Sequence, residues 1–273
     1  MQYNQSSWGG EQALPPPPKP FTLVQHNCLG SSDVILSLFG SFTQLSHPPS
    51  IVALQDPPVY RGKLPSFNLF TVFSPLMAGG CKPQVAFYFY SLFLLTVSLL
   101  PRFFGSGDVI ALDLFTPDGF FNPSTTGFTI INSYSTKGRS NNTRSVPPDI
   151  IFPSSPLPTL TVGDLNIHHP TADPHRVFKE DEIATSSPDF ERATDLGFSL
   201  LNTSGVFTRF SMSLVGRPGV LDLAFACPLL SPYLSEWSDP LPSTGSDHIR
   251  ILLRFEAPLF PAPPPTPNWA LSD

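Results

Sequence analysis

Charge is scarce in this chain. Of 273 residues only 15 are basic and 21 acidic, a formal balance of −6. The molecule as a whole therefore exerts no pull on a polyanion, and contact with one would need a local basic patch or a bound cation. Cysteine is scarcer still: Cys28, Cys81 and Cys227 are odd in number, far apart and form no C-x-x-C pair. That argues against a disulfide framework and against a structural zinc site, and it fits a reducing, intracellular compartment. The opening stretch MQYNQSSWGGEQALPPPPKP has neither a basic n-region nor an apolar h-region, so no secretory signal is read there. What is plentiful is proline. With 34 prolines and 18 glycines the breakers still stay below the roughly 25–30% of low-complexity chains. The expectation is a loop-rich globular fold, long enough to bury a substantial core.

Three segments are expected. Residues 1–20 read as a disordered or polyproline II leader, residues 21–256 as the folded domain, and residues 257–273 as a proline-rich linker towards a further domain. Within the domain, FTLVQHN (Phe21 to Asn27) reads as a strand ending in Gln25 and Asn27. SSDVILSLFGSF follows as a helix capped by Ser31 or Ser32, with Val34, Ile35, Leu38 and Phe39 at helical spacing. SIVALQD (Ser50 to Asp56) is an apolar run stopped by Pro57 and Pro58, which leaves Gln55 and Asp56 at its end. DVIALDLFT and FTIINSYS read as further strands, the second delivering Asn132 and Tyr134, and the loop after it carries Lys137, Arg139 and Arg144 without an acidic residue. That loop is the best candidate for a phosphate-contacting patch, although a short basic loop is more often simply solvated.

From Pro83 to Pro101 there is no charge at all, and VAFYFYSLFLLTVSLL is apolar enough to suggest a membrane helix. Its length is marginal and it is rich in aromatic and β-branched residues. A hairpin of two buried strands joined near Ser91 to Phe93 is the expected reading, and no membrane partner is expected. Further on, LTVGDLNIHHP (Leu160 to Pro170) runs a strand out into a loop at Gly163, Asp164 and Asn166. Taken alone, Asp-x-Asn after a strand is more often a turn whose side chains bond their own backbone. SSPDFERATDLG then predicts a helix with Ser187 as cap and Pro188 in its first position. GVFTRFSM and GVLDLAFAC predict strands, the second carrying Asp222 in an apolar run where an unpaired carboxylate is expensive. STGSDHIRILLRF places Asp247 and His248 just before the last strand. His168, His169 and His175 could suggest zinc, but with no paired cysteine the donor set is poor.

In order along the chain, QHN, LQD, NSY, GDLN, VLDLAF and SDH each fall at a strand end or strand–loop junction. This series resembles the endonuclease/exonuclease/phosphatase superfamily, the DNase I-like fold, from about Phe21 to Phe255. More narrowly, GDLNIHHP and the proline-rich exit resemble the endonuclease domain of a non-LTR (LINE-type) retrotransposon polyprotein of the fungal kind. The resemblance implies an α/β four-layer sandwich, with two packed, mostly antiparallel β-sheets flanked by helices. It also implies hydrolysis of DNA phosphodiesters with Mg²⁺, or Mn²⁺ in its place, nuclear residence, and a reverse transcriptase as the following domain.

The roles implied are as follows. Asp56 and Asp247 would hold the metal with Asn27 beside them, and Asp164 would orient or deprotonate the attacking water. Asn166 and Tyr134 would contact the phosphate, while His248 would face it with Asp222 fixing its tautomer. The basic loop of Lys137, Arg139 and Arg144 would contact the substrate backbone. Two positions depart from the family pattern: Asp56 stands where a glutamate is usual, one methylene short, and Arg250 stands where proline is common. A phosphatase or diesterase acting on a small phosphorylated compound, and a catalytically decayed nucleic-acid-binding remnant, remain as alternatives.

Overall fold

The computed structural model describes residues 21–76, 82–92, 96–100, 107–115, 127–135, 146–211, 217–237 and 245–255. The leader, the linker and the loop bearing Lys137, Arg139 and Arg144 lie outside these residues. The chain begins with β1 (Phe21–Asn27), α1 (Ser32–Phe42) and β2 (Ile51–Gln55), a parallel strand pair joined by a helical crossover. Ser31 caps the helix, its hydroxyl accepting the Val34 N–H. Val34, Ile35, Leu38, Phe39 and Phe42 then form the buried face, as apolar side chains three and four apart must on one stripe of a helix.

The remaining strands are β3 (Phe70–Phe73), β4 (Val85–Tyr90), β5 (Thr96–Leu99), β6 (Val109–Phe115), β7 (Gly127–Tyr134), β8 (Thr159–Asp164), β9 (Ser199–Leu200), β10 (Asp222–Ala226), β11 (Leu234–Trp237) and β12 (Ile251–Phe255). Two further helices are α2 (Pro148–Ile151), a single turn, and α3 (Glu180–Asp195). The strands form two six-stranded sheets, ordered β11-β12-β1-β2-β4-β3 and β5-β6-β7-β8-β10-β9. Among the described residues only β1–β2 and β7–β8 pair in parallel.

Strand period places every second residue on each face, and three apolar clusters follow from it. Leu23, Ile51, Ala53, Phe87 and Leu253 of the first sheet meet Leu112, Ile130, Leu160, Val162 and Ala224 of the second in the central core. On the outer face of the first sheet Val24, Val52, Leu54 and Tyr88 receive α1. On the outer face of the second, Ala111, Ile131, Leu223 and Phe225 receive Ile151 of α2 and Phe190 and Ala193 of α3. The layers are thus helix, sheet, sheet, helix. β2 and β4, covered on both faces, read as continuous apolar runs rather than as alternations.

Three expectations are corrected. The charge-free run holds two strands, but they do not form a hairpin: β4 is central to the first sheet between β2 and β3, whereas β5 is an edge strand of the second, paired with β6. β4 is buried, and β5 alternates between exposed and half-buried positions. Among the described residues no helix is long and apolar enough to cross a membrane. The helix predicted to start at Ser187 starts at Glu180 instead, with Pro188 inside it. Glu182 decides this start, since its carboxylate accepts the Lys179 N–H and pairs with Arg176, and three acidic residues occupy the first turn. Pro188 donates no hydrogen bond to the turn before it, and there the Ser186 and Ser187 hydroxyls bond to the Ile183 carbonyl. Finally, the described residues 205–211 of GVFTRFSM form no strand; Arg209 makes isolated bridges to Gly219 and His248.

Candidate active site

The inner layer of the sandwich changes character towards one edge. Going along β1 and β2 the inward positions run Leu23, Gln25, Asn27 and Ile51, Ala53, Gln55, while β7 contributes Ile130, Asn132 and Tyr134. The amides come first. Gln55 Nε2 donates to Asn132 Oδ1 at 2.6 Å, and Asn132 Nδ2 donates to the carbonyls of Leu54 and Ala86 at 2.9 and 3.0 Å. One buried amide thus ties β7 to two strands of the facing sheet, just below the charged layer.

The charged layer is built by register. Tyr134 lies opposite Asp164, and Asp164 opposite Asp222, across β7, β8 and β10, so the three side chains share one face. Gly163 makes the row possible, because a methyl group added there would overlap the Ser133 carbonyl of β7. Replacing Gly163 with alanine is expected to force the two strands apart at a cost of roughly 2–3 kcal/mol. Thermal unfolding checks this, with an expected fall in Tm of roughly 5–10 °C.

From the other sheet, Asn27 Nδ2 donates to Asp164 Oδ2 at 2.8 Å and Asn27 Oδ1 accepts the Leu29 N–H at 2.9 Å. Asp164 Oδ1 accepts the Asn166 N–H at 3.1 Å, with Asn166 at a positive φ of 51° and half-exposed. The local turn expected of Asp-x-Asn is therefore real, and the same carboxylate also takes the Asn27 amide from the facing sheet. His248 precedes β12, beside the end of β1. Its Nδ1 lies 2.8 Å from Asp222 Oδ2, and its Nε2 lies 4.0 Å from Asp164 Oδ2 and 3.6 Å from Asp247 Oδ1.

Further residues hold this arrangement. Thr208 Oγ1 accepts the N–H groups of Leu221 and Asp222, and Asn202 bridges the Asp222 carbonyl and the Ala224 N–H. Ser246 accepts the His248 N–H and donates to the Asn27 carbonyl. Arg209 donates its Nε to Asp247 Oδ2 at 2.9 Å. Ser246 stands in the SDH series and bonds the His248 N–H two positions on; the others could not be picked out beforehand, because their partners lie 13 to 38 positions away.

Burial sets the protonation states. Asp164 is 2% exposed; burial first, and then the Asp222 charge, push its carboxyl up to about 7, against the pull of His248 and of the bonds from Asn27 and Asn166. Burial works against charge on His248 as well, but Asp222, with Asp164 and Asp247 behind it, outweighs this and raises the imidazole to about 9. Burial, with Asp164 and Asp56 nearby, raises the Tyr134 phenol to about 12, so it remains a hydrogen-bond donor.

Asp164, Asp222 and His248 present ligand atoms within 4.8 Å of one another. Two of these side chains already bond within the protein, His248 through Nδ1 to Asp222 and Asp164 through Oδ2 to Asn27. Among the described residues, Asp222 Oδ1 and Asp247 Oδ1 are buried and accept no hydrogen bond. Buried carboxylate oxygens in such surplus fit a hard divalent cation. Asp56 stands apart from this group and pairs with Lys82 at 2.7 Å. Among the described residues the candidate zinc histidines form no such group, and His169 stacks on Phe190 with ring centroids 3.8 Å apart. Arg250 is buried and donates to Ser41 Oγ of α1 at 3.0 Å. The expected charge at the strand start thus anchors a helix while the His248 loop keeps its bonds.

Two mixed sheets packed face to face, helices on both outer faces and a polar cluster at one edge define the DNase I-like α/β sandwich. Solved structures share it: the endonuclease domain of TRAS1, a telomere-specific non-LTR retrotransposon, matches at 16% identity and a TM-score of 0.64, covering 86% of this chain and 98% of that one. The AP endonuclease LMAP from Leishmania major matches at 15% identity and a TM-score of 0.63, covering 87% and 88%. The 3' phosphatase NExo from Neisseria, bound to a product DNA hairpin, matches at 16% identity and a TM-score of 0.58, covering 87% and 100%. No protein-family model matches the chain, and no curated protein matches it significantly.

Proposed function

We propose that this chain is a metal-dependent endonuclease that hydrolyses DNA phosphodiester bonds. The observation that carries the reading is the buried run Asp222–His248···Asp164–Asn27 at the sandwich edge. Asp164, poised near neutrality, takes the proton of the attacking water, and Asn27 holds the carboxylate in place. His248, charged at neutral pH, faces the phosphoryl oxygens through Nε2, while Asp222 keeps Nδ1 as the donor on its far side. Tyr134 and Asn166 donate hydrogen bonds to the phosphate. Asp247, through the oxygen that accepts no hydrogen bond, together with Asp56 and Asn27, would hold a Mg²⁺ or Mn²⁺ ion that offsets charge developing on the phosphate. Lys137, Arg139 and Arg144 contact the DNA backbone.

The likeness to the endonuclease domain of a non-LTR retrotransposon favours a LINE-type role, and this reading carries with it, as part of the proposal, a reverse transcriptase as the following domain and nuclear residence. The likeness to a 3' phosphatase supports a second reading, release of phosphate from a small or terminal phosphorylated group. A plasmid assay separates the two. With Mg²⁺ the purified chain is expected to convert supercoiled plasmid to open circles, and EDTA to stop it. Phosphate release from 3'-phosphorylated oligonucleotides without nicking would favour the second reading. Neither activity in a protein with a cooperative melt would overturn both.

A further inference from the structure

Asp56 is held by its backbone on both sides. It adopts a positive φ of 40°, its N–H donates to the Gln84 carbonyl and its carbonyl accepts the Gly30 N–H, each at 2.7 Å. A non-glycine residue persists in that conformation only when its surroundings impose it. The carboxylate so placed does not wait alone, for Lys82 Nζ sits 2.7 Å from Asp56 Oδ1. The loop at Gly30 floors the pair: a methyl group there would lie 3.6 Å from Asp56 Oδ2 and 3.7 Å from Lys82 Nζ. Lys82 is the last charge before the charge-free run that supplies β4. Asp56 directly follows Gln55 of β2, whose amide bonds Asn132 of β7 just below the charged layer, and its charge helps raise the Tyr134 phenol, so the pair lies at the same edge of the sandwich as the candidate site.

We propose that Lys82 is the resident cation of Asp56, so that a divalent metal and the Lys82 ammonium compete for one carboxylate. The inference rests on the reading of the cleft as metal-dependent. The pair is partly exposed, with side-chain exposures of 38% for Lys82 and 23% for Asp56, and such pairs are weak enough for a doubly charged ion to displace.

Titration of Mn²⁺ followed by the electron paramagnetic resonance of the free ion tests this without relying on activity. Lys82→Gln is expected to tighten Mn²⁺ by about two- to fivefold, as loss of a partly exposed competitor implies. In an Asp56→Asn background the same substitution is expected to change nothing, and Lys82→Arg should leave the affinity near that of wild type. Saturable wild-type binding that Lys82→Gln leaves unchanged or weakens overturns the competition and spares the metal reading. Equal tightening with and without Asp56 also overturns it, since that would be a general charge effect. No saturable binding by any variant overturns the metal reading and the competition together. Melting curves of each variant establish that it is folded.

Discussion

Replacing Asp164 with asparagine is expected to lower nicking by about a thousandfold, the middle of the range for removing a general base. The substitution keeps the shape and one acceptor oxygen, so Asn27 or Asn166 retains a partner, but an amide does not take a proton from water. The pH profile identifies the role. Burial and the Asp222 charge place the Asp164 carboxyl near 7, so wild-type activity should rise through that region as the carboxylate forms, and it should fall towards 9 as His248 loses its proton. The residual activity of the variant should lack the rise.

Stability should move the other way. A carboxyl whose folded pKa is raised above its unfolded value contributes stability that is fully present below the unfolded value, near 4, and lost as pH rises through the folded one, near 7. At pH 8 in EDTA the variant, carrying no charge there, should therefore melt above wild type. An inactive and more stable variant separates catalysis from folding. A variant with near wild-type nicking would remove Asp164 from the mechanism.

Asp222→Asn is the second large effect, with an expected loss of about a hundred- to ten-thousandfold in nicking. Asp222 is 1% exposed and touches His248 Nδ1 at 2.8 Å, so its charge is the main force holding the imidazole charged against burial. With that charge gone, burial acts unopposed by its principal partner, and the His248 pKa should fall from about 9. Proton NMR of the His248 ring measures this directly. Because the two side chains act as one unit, Asp222→Asn combined with His248→Ala should lose little more than His248→Ala alone. Independent losses that multiply would show that the dyad is not the working unit.

Much of the fold is legible locally. The strand Phe21–Asn27 ends where its alternation meets a turn, and the helix that follows begins at Ser31 because a hydroxyl there reaches an open N–H. Asn27, Tyr134, Asp164, Asp222 and His248 are each legible as polar groups closing or opening an apolar strand. They converge because strand ends of a layered sheet share an edge. The error over Ser187 and Pro188 is local too: a helix start at Pro188 is plausible chemistry, but Glu182 makes a better one. The charge-free run fails differently. Its apolar residues announce strands without saying which neighbours will satisfy their hydrogen bonds, and the chain passes from one sheet to the other between β4 and β5.

Short-range chemistry therefore determines where elements begin and end and which residues stand at their tips, since caps, turns and periodicity act over a few positions. The partners of those tips are decided by folding. Lys82 reaches Asp56 across 26 positions, Arg209 reaches Asp247 across 38, and Asn27 reaches Asp164 across 137. Composition and spacing carry no record of such pairs, because each exists only once strand register, the packing of the two sheets and the closing of loops have brought two distant side chains together. The same register turns Asp164 from the cap of its own loop into a buried carboxyl titrating near neutrality.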